Sequence, residues 1–86
     1  MKVDFTPKGI CATRIQFDID DNDKTLHNIE FTGGCNGNLK AIGKLCEGKT
    51  ASEISEILRG NTCGMKRTSC ADQLSIAIDQ ALASME

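Results

Sequence analysis

The spacing of the apolar residues changes once along the chain, close to Gly33 and Gly34. Up to this point apolar and polar residues alternate, which is typical of strands with one face in solvent. Beyond it, apolar residues recur every three or four positions, which is typical of amphipathic helices. A sheet that is wet on one face leaves only the other face for helices to cover. The sequence therefore predicts a two-layer α+β fold, with residues 1–86 as a single domain.

Two strands, residues 11–20 and 25–32, are predicted to form an antiparallel hairpin. In the first strand the odd-numbered residues from Cys11 to Ile19 are expected on the core side, and the even-numbered ones on the solvent side. The second strand is expected to place three residues on one face: His27, Ile29 and Phe31. Leu26 departs from this alternation. Residues 3–6 are expected to add a third strand, so the predicted sheet is small and antiparallel, with two or three strands and helices packed on one face.

Two short helices are predicted after the strands. The first is expected to end near Gly48 and to carry four residues on its apolar side: Leu39, Ile42, Leu45 and Cys46. Thr50 and Glu53 have the spacing of a capping box, which would start the second helix. That helix is expected to stop at Gly60 and to pack through three residues: Ile54, Ile57 and Leu58.

Residues 68–72 are predicted to start the last helix. Its apolar face is formed by six residues at helical spacing: Leu74, Ala77, Ile78, Ala81, Leu82 and Met85. Ser69 and Asp72 have the spacing of an N-cap residue and its partner three positions later. Cys70 therefore falls in the first turn, where backbone N–H groups and the helix dipole favour negative charge. This position suits a cysteine that binds a metal or reacts.

The composition excludes several classes of partner. With 12 acidic and 10 basic side chains the net charge is -2, so the chain lacks the basic surface that nucleic acids attract. Three Phe, no Tyr and no Trp leave no stacking platform for single strands. The first five residues contain no apolar run, so neither a signal peptide nor a membrane span is expected. A cytoplasmic location is the resulting expectation.

The chain contains five cysteines, an odd number, and no secretory segment is expected before them. This argues for metal binding or thiol chemistry rather than a disulfide framework. Cys46 has the spacing of a core residue within a helix and is interpreted as packing. The other four each fall at the end of a predicted element: Cys11, Cys35, Cys63 and Cys70. Because no C-x-x-C pair is present, spacing leaves two alternatives open, a shared metal site and scattered buried thiols.

Three further features are interpreted as structural. Residues 43–50 match the P-loop pattern, but the first glycine lies within a predicted helix and the sequence has no apolar strand ending in Asp to hold magnesium. Residues 18–29 begin like a calcium loop, yet position six lacks Gly and position twelve is Ile29 rather than Glu, so this segment is interpreted as a turn. His27 is the single histidine and is interpreted as a partly buried strand residue rather than a ligand.

Four parts of the sequence together resemble the TSCPD-domain family of small four-cysteine proteins: Cys11, residues 33–39, Cys63 with Gly64, and residues 68–74. The same domain occurs at the C-terminus of vitamin B12-dependent ribonucleoside-diphosphate reductases. The resemblance implies a role linked to ribonucleotide reduction, and so to DNA synthesis, or to metal–sulfur handling. The chain has Ala71 where the family motif has Pro, a change that removes no metal ligand.

The order of Cys11, Cys35 and Cys70 is also similar to that of the three cysteines in iron–sulfur scaffold proteins of the IscU/NifU type. This similarity implies a sheet with helices on one face and the cysteines at one end. Cys63 would then be a fourth ligand. The scaffold's aspartate two residues after its first cysteine corresponds to Thr13, so a closed four-cysteine zinc site is favoured over a site that hands on a cluster.

The expected function is therefore a cytoplasmic zinc-binding domain with Cys11, Cys35, Cys63 and Cys70 as ligands. Its expected partner is a ribonucleotide reductase or a metal–sulfur protein. The chain is too short to be a reductase alone, so it is not expected to be an enzyme by itself. Two alternatives are an iron–sulfur cluster carrier and a dithiol electron carrier. In the second, Cys63 and Cys70 would exchange electrons beside the positive charges of Lys66 and Arg67.

Overall fold

The computed structural model describes residues 1–8, 10, 12–34, 36–60 and 69–85, apart from the side chain of Asn36. Within these residues the chain forms three strands followed by three helices, as the change in apolar spacing predicts. The elements are β1 (Lys2–Phe5), β2 (Ala12–Ile19), β3 (Leu26–Gly33), α1 (Asn36–Cys46), α2 (Ala51–Leu58) and α3 (Cys70–Ser84). The predicted α+β class is confirmed.

The described strands form one antiparallel sheet in the order β1-β2-β3. The predicted third strand is thus present, and it pairs with β2 through partners such as Val3 and Phe17. The helices cover one face of the sheet. The core between the sheet and the helices includes Ile15, Phe17, Ile19, Leu74 and Ile78. Full burial of side chains of this size stabilises the fold by about 1.5–3 kcal/mol each. The opposite face carries polar groups, including an ion pair between Arg14 and Asp4.

A β-bulge near the start of β2 corrects the predicted alternation. Ala12 lies opposite Gly33 and Arg14 lies opposite Thr32, so β2 has one extra residue, Thr13. An extra residue reverses the facing of every side chain before it. Ala12 is consequently buried and Thr13 exposed, the opposite of the prediction. Cys11 lies outside the described residues, and its core-facing position stays a prediction.

A second bulge lies in β3. Gln16 pairs with Glu30 and Asp18 pairs with His27, which leaves one residue too many in β3 between these pairs. Asn28 in this stretch has a φ of 55°, a left-handed conformation that Asn tolerates better than most residues.

This second bulge also corrects two predictions about β3. Leu26 does not fall outside the pattern, since it is fully buried and pairs with Ile19. His27 does not share a face with Ile29, because it is the cross-strand partner of Asp18 on the polar side. The prediction for the rest of the strand is confirmed, as Ile29 and Phe31 pack against the core.

Helix α1 packs against β3 at Gly43. A Cβ atom built on Gly43 would lie 3.1 Å from the carbonyl oxygen of Ile29, so a larger residue would push the helix off the strand. Gly43 is the first glycine of the stretch that matches the P-loop pattern, and here it allows α1 to pack closely on β3. Leu39 and Cys46 are buried as predicted. Leu45 is 73% exposed, so its predicted place on the apolar side is wrong.

The start of α2 differs from the predicted capping box. Thr50 is the N-cap residue, but its side chain makes no capping hydrogen bond. The backbone N–H of Ala51 donates instead to the carbonyl oxygen of Lys24 at 2.9 Å, because this segment runs alongside the start of β3. Ile54 is buried, whereas Ile57 is 72% exposed and its predicted core position is wrong.

Helix α3 confirms the predicted cap and apolar face. The N–H of Asp72 donates to Oγ of Ser69 at 3.1 Å, and all six predicted residues contact the core. Ser55 of α2 and Arg59, the C-cap residue of that helix, both donate to the carboxylate of Asp79, which fixes α2 against α3. No helix in the described part of the chain is long and apolar enough to cross a membrane.

Candidate metal centre

Cys70 is the one predicted ligand that falls within the described residues. It is the first residue of α3 and is half-buried. The Ser69 side chain caps the helix, and the Ser69 carbonyl oxygen accepts from the N–H of Gln73 at 2.9 Å. These bonds fix the backbone on both sides of Cys70 and therefore the direction of its Cα–Cβ bond. Cys11, Cys35 and Cys63 lie outside the described residues.

The residues that flank Cys11 and Cys35 in the chain lie against each other. A Cβ atom built on Gly34 would be 3.3 Å from the backbone nitrogen of Ala12 and 3.0 Å from Cδ1 of Leu39. Gly34 also has a φ of +77°, which other residues rarely adopt. Glycine is therefore required here both by conformation and by space. The start of β2 and the turn before α1 are held in contact at this point.

The segment that leads to Cys11 is tied to the first turn of α3. The backbone N–H of Lys8 donates to Oε1 of Gln73 at 3.2 Å. Gln73 is only 8% exposed, so this hydrogen bond forms where water competes little. Lys8 precedes Cys11 by three residues, and Gln73 follows Cys70 by three residues.

The segment that leads to Cys63 is tied to the same turn. The backbone N–H of Gly60 donates to Oδ1 of Asp72 at 2.7 Å, a short bond typical of a carboxylate acceptor. Gly60 follows the end of α2 with a φ of +79°, a conformation that glycine commonly supplies beyond a helix end. Gly60 precedes Cys63 by three residues.

Cys46 differs from Cys70 in its surroundings. It is 4% exposed and lies in the apolar cluster with Leu26 and Ile54. Burial raises the pKa of the Cys46 thiol, because the apolar surroundings disfavour the charged thiolate. A neutral thiol in such a place packs as a small apolar side chain. The predicted packing role of Cys46 is confirmed.

His27 is engaged by hydrogen bonds at both ring nitrogens. Its Nδ1 lies 2.7 Å from Oε2 of Glu47, and its Nε2 lies 2.8 Å from Oγ1 of Thr25. The backbone N–H of Asn28 and then the His27 ring hold the pKa of Glu47 below its usual range. The interpretation of His27 as a partly buried strand residue is confirmed. Among the described residues, no group of three or more His, Cys, Asp or Glu side chains is placed to hold a metal.

The stretch that begins like a calcium loop is a turn, as predicted. Oδ1 of Asp20 accepts the backbone N–H groups of Asn22 and Asp23 at 2.8 and 3.1 Å. These bonds lower the pKa of Asp20, since they stabilise its charged form. The carboxylate is therefore used to close the turn.

The sequence interpretation missed the roles of Gln73 and Asp72 beyond helix capping. The sequence pattern assigns Asp72 to the N-cap and places both residues in the family motif, but it assigns neither a tertiary contact. The one signal in the sequence is that Gln73 is a polar residue next to the apolar stripe of α3. In the structure Gln73 is buried, as is its neighbour Leu74. Helical spacing does not say which backbone group such a side chain meets.

Comparison with known proteins identifies the family. The sequence model of the TSCPD domain matches residues 1–82 of the 86-residue chain. No curated protein and no solved structure shows significant similarity to the chain. The further similarity to IscU/NifU-type scaffolds accordingly stays a prediction. Because the family match covers nearly the whole sequence, the chain belongs to the TSCPD-domain family.

Proposed function

We propose that the protein binds one Zn²⁺ ion through the thiolates of Cys11, Cys35, Cys63 and Cys70. The observation that supports the proposal is that described residues close to these cysteines in the sequence lie next to one another in three pairs. Gly34 lies beside Ala12, Lys8 is hydrogen-bonded to Gln73, and Gly60 is hydrogen-bonded to Asp72.

Chain connectivity limits how far Cys11 and Cys63 can lie from the first turn of α3. Three residues of extended chain span at most about 11 Å, which bounds the distance from Lys8 to Cys11 and from Gly60 to Cys63. Cys35 directly follows Gly34, and Gly34 lies beside the backbone of Ala12. Cys70 lies one helical turn from Gln73. These chain lengths are compatible with Cys11 and Cys63 reaching the first turn of α3, on which Cys70 lies.

The chemistry of the donor set favours zinc. Four thiolates in tetrahedral arrangement form the closed site that Zn²⁺ commonly occupies in a structural role. Such a site adds folding free energy, because the ligands are held together only in the folded chain. An 86-residue domain with a small core gains most from this kind of support. The described residues flanking the site belong to different elements, so a bound ion would cross-link the sheet to α3.

The biological role is inferred from the resemblance within the family. The TSCPD domain also forms the C-terminal part of vitamin B12-dependent ribonucleoside-diphosphate reductases, so we infer a cytoplasmic role linked to ribonucleotide reduction or to metal–sulfur handling. The partner would be a ribonucleotide reductase or a metal–sulfur protein. The protein itself would act by binding rather than by catalysis.

Metal content and thiol accessibility test this function. The protein is purified without oxygen, its metals and labile sulfide are measured, and its thiols are counted before and after chelation. One zinc per chain, with four thiols that become reactive on chelation, is expected. Cys70→Ser should lower zinc retention, whereas the matched control Cys46→Ala should not, because Cys46 is buried in the core. Labile sulfide with iron would identify a cluster carrier, and a metal-free protein with one disulfide would identify a dithiol carrier. Either result would overturn the zinc proposal.

A further inference from the structure

We propose that Gln73 and Asp72 are positioning residues, which bring the segments that lead to Cys11 and Cys63 onto the helix turn that carries Cys70. The inference rests on the proposed function only for the identity of the metal. The gathering of the two segments belongs to the fold itself, and it would precede metal binding.

Gln73 is suited to this task by its burial. A buried side-chain amide without partners destabilises a fold, so its carbonyl oxygen must accept a hydrogen bond. The Lys8 N–H meets this requirement at 3.2 Å. Residues three apart in a helix lie on the same side, so Gln73 holds Lys8 on the side of α3 from which Cys70 projects.

Asp72 acts on the other segment. Its backbone N–H donates to Ser69, and its carboxylate accepts from the Gly60 N–H at 2.7 Å. Asp72 thus donates to the Ser69 cap through its backbone and holds the chain that leaves α2 through its side chain. Consecutive helical residues point about 100° apart, so Asp72 and Gln73 reach different sides of the turn. Two adjacent residues can therefore hold two separate segments around one cysteine.

The first readout is zinc affinity in competition with a chromophoric chelator. Loss of a hydrogen bond that orients metal ligands commonly weakens binding by about 10- to 100-fold. Gln73→Met keeps the size and removes the acceptor, and we expect its zinc Kd to rise at least about tenfold. Gln80→Met is the matched control, since Gln80 lies on the same helix and is exposed. Its Kd should equal that of the parent protein.

For Asp72, two variants separate charge from hydrogen bonding. Asp72→Asn keeps an oxygen acceptor for the Gly60 N–H, and Asp72→Ala removes it. We expect the zinc affinity of Asp72→Asn to be close to that of the parent protein and the zinc affinity of Asp72→Ala to be lower. Equal losses for both variants would indicate that only the negative charge at the helix start matters, and would overturn the positioning role of Asp72.

The second readout needs no metal. Cys35→Ser, Cys46→Ala and Cys63→Ser together leave Cys11 and Cys70 as the two thiols, and a short bifunctional thiol reagent then cross-links them in chelator. Addition of Gln73→Met should slow this cross-linking several-fold, and addition of Gln80→Met should not. Should Gln73→Met fail to fold by circular dichroism, Gln73→Asn replaces it, since it stays polar but is too short to reach Lys8.

The two readouts separate the two proposals. Slower cross-linking in a protein that takes up no zinc would refute the zinc function and support the positioning role. Tight zinc binding with Gln73→Met and Gln80→Met indistinguishable in both readouts would refute the positioning role and leave the zinc function standing.

Discussion

Gly34 offers a sharp test of the contact between β2 and the turn before α1. In Gly34→Ala the new methyl group would sit 3.0 Å from Cδ1 of Leu39 and 3.3 Å from the backbone nitrogen of Ala12. The leucine side chain can rotate away, but the strand backbone cannot move without breaking its pairing with β3. An alanine at a φ of +77° also costs about 1–2 kcal/mol for its left-handed conformation.

Crowding contributes about 1–3 kcal/mol, so the two effects add to a loss of about 2–5 kcal/mol in the free energy of unfolding. For a domain of this size, such a loss lowers Tm by roughly 8–40 °C. Urea unfolding of chelator-treated protein, followed by circular dichroism, measures the change without a contribution from metal.

Gly37→Ala is the matched control three residues later. Gly37 lies in α1, and a Cβ atom there would meet nothing within 4 Å. Alanine in place of glycine stabilises a helix by up to about 1 kcal/mol, so this variant should unfold at higher urea concentration. The reasoning would be refuted if Gly34→Ala were as stable as the parent, or if the two variants changed stability in the same direction.

Three further predictions concern the rest of the fold. The backbone N–H of Asn28 and the His27 ring lower the pKa of Glu47. The contribution of Glu47 to stability is therefore fully present above its unfolded-state pKa of about 4.3, and it is lost as pH falls through the lower folded-state pKa. Glu47→Gln should therefore flatten the stability profile measured by urea unfolding between pH 5 and pH 3. Cys46→Ser should lose about 1–3 kcal/mol, because it buries a hydroxyl in the apolar cluster, and its zinc content should stay unchanged by metal analysis. Ile54→Ala should lose about 2–4 kcal/mol in urea unfolding, while Ile57→Ala should stay within about 0.5 kcal/mol.

Each of these has a result that contradicts it. An unchanged acid profile in Glu47→Gln would mean that its hydrogen bonds are not kept in solution. Zinc loss from Cys46→Ser would make Cys46 a ligand. Equal stability losses for Ile54→Ala and Ile57→Ala would mean that α2 packs on a different face from the one in the structure.

The order of elements was predictable because it depends on periodicity alone. The alternation that ends in Ile15, Phe17 and Ile19 shows which side of β2 is apolar, and these residues form the core. The spacing in residues 69–85 predicted both the cap and the buried face of α3. Local hydrogen bonding and apolar spacing are properties of short segments, so a single sequence contains them.

The errors have a different physical origin. Each β-bulge depends on the register of two strands, which a single strand does not specify, so the positions of Thr13 and His27 were predicted wrongly. Leu45 and Ile57 have helical spacing, yet α1 and α2 each bury a narrower stripe than the spacing suggests. The bond from Gln73 to Lys8 joins residues 65 positions apart, and no local pattern predicts it.

The zinc ligands themselves are tested most directly by X-ray absorption at the zinc edge of the loaded protein. The account predicts four sulfur neighbours at about 2.3 Å in the parent protein and in Cys46→Ala. It predicts three sulfurs with one lighter ligand at about 2.0–2.1 Å in any Cys70→Ser protein that still holds the ion. Fewer than four sulfurs in the parent, or a spectrum that Cys70→Ser leaves unchanged, would contradict it.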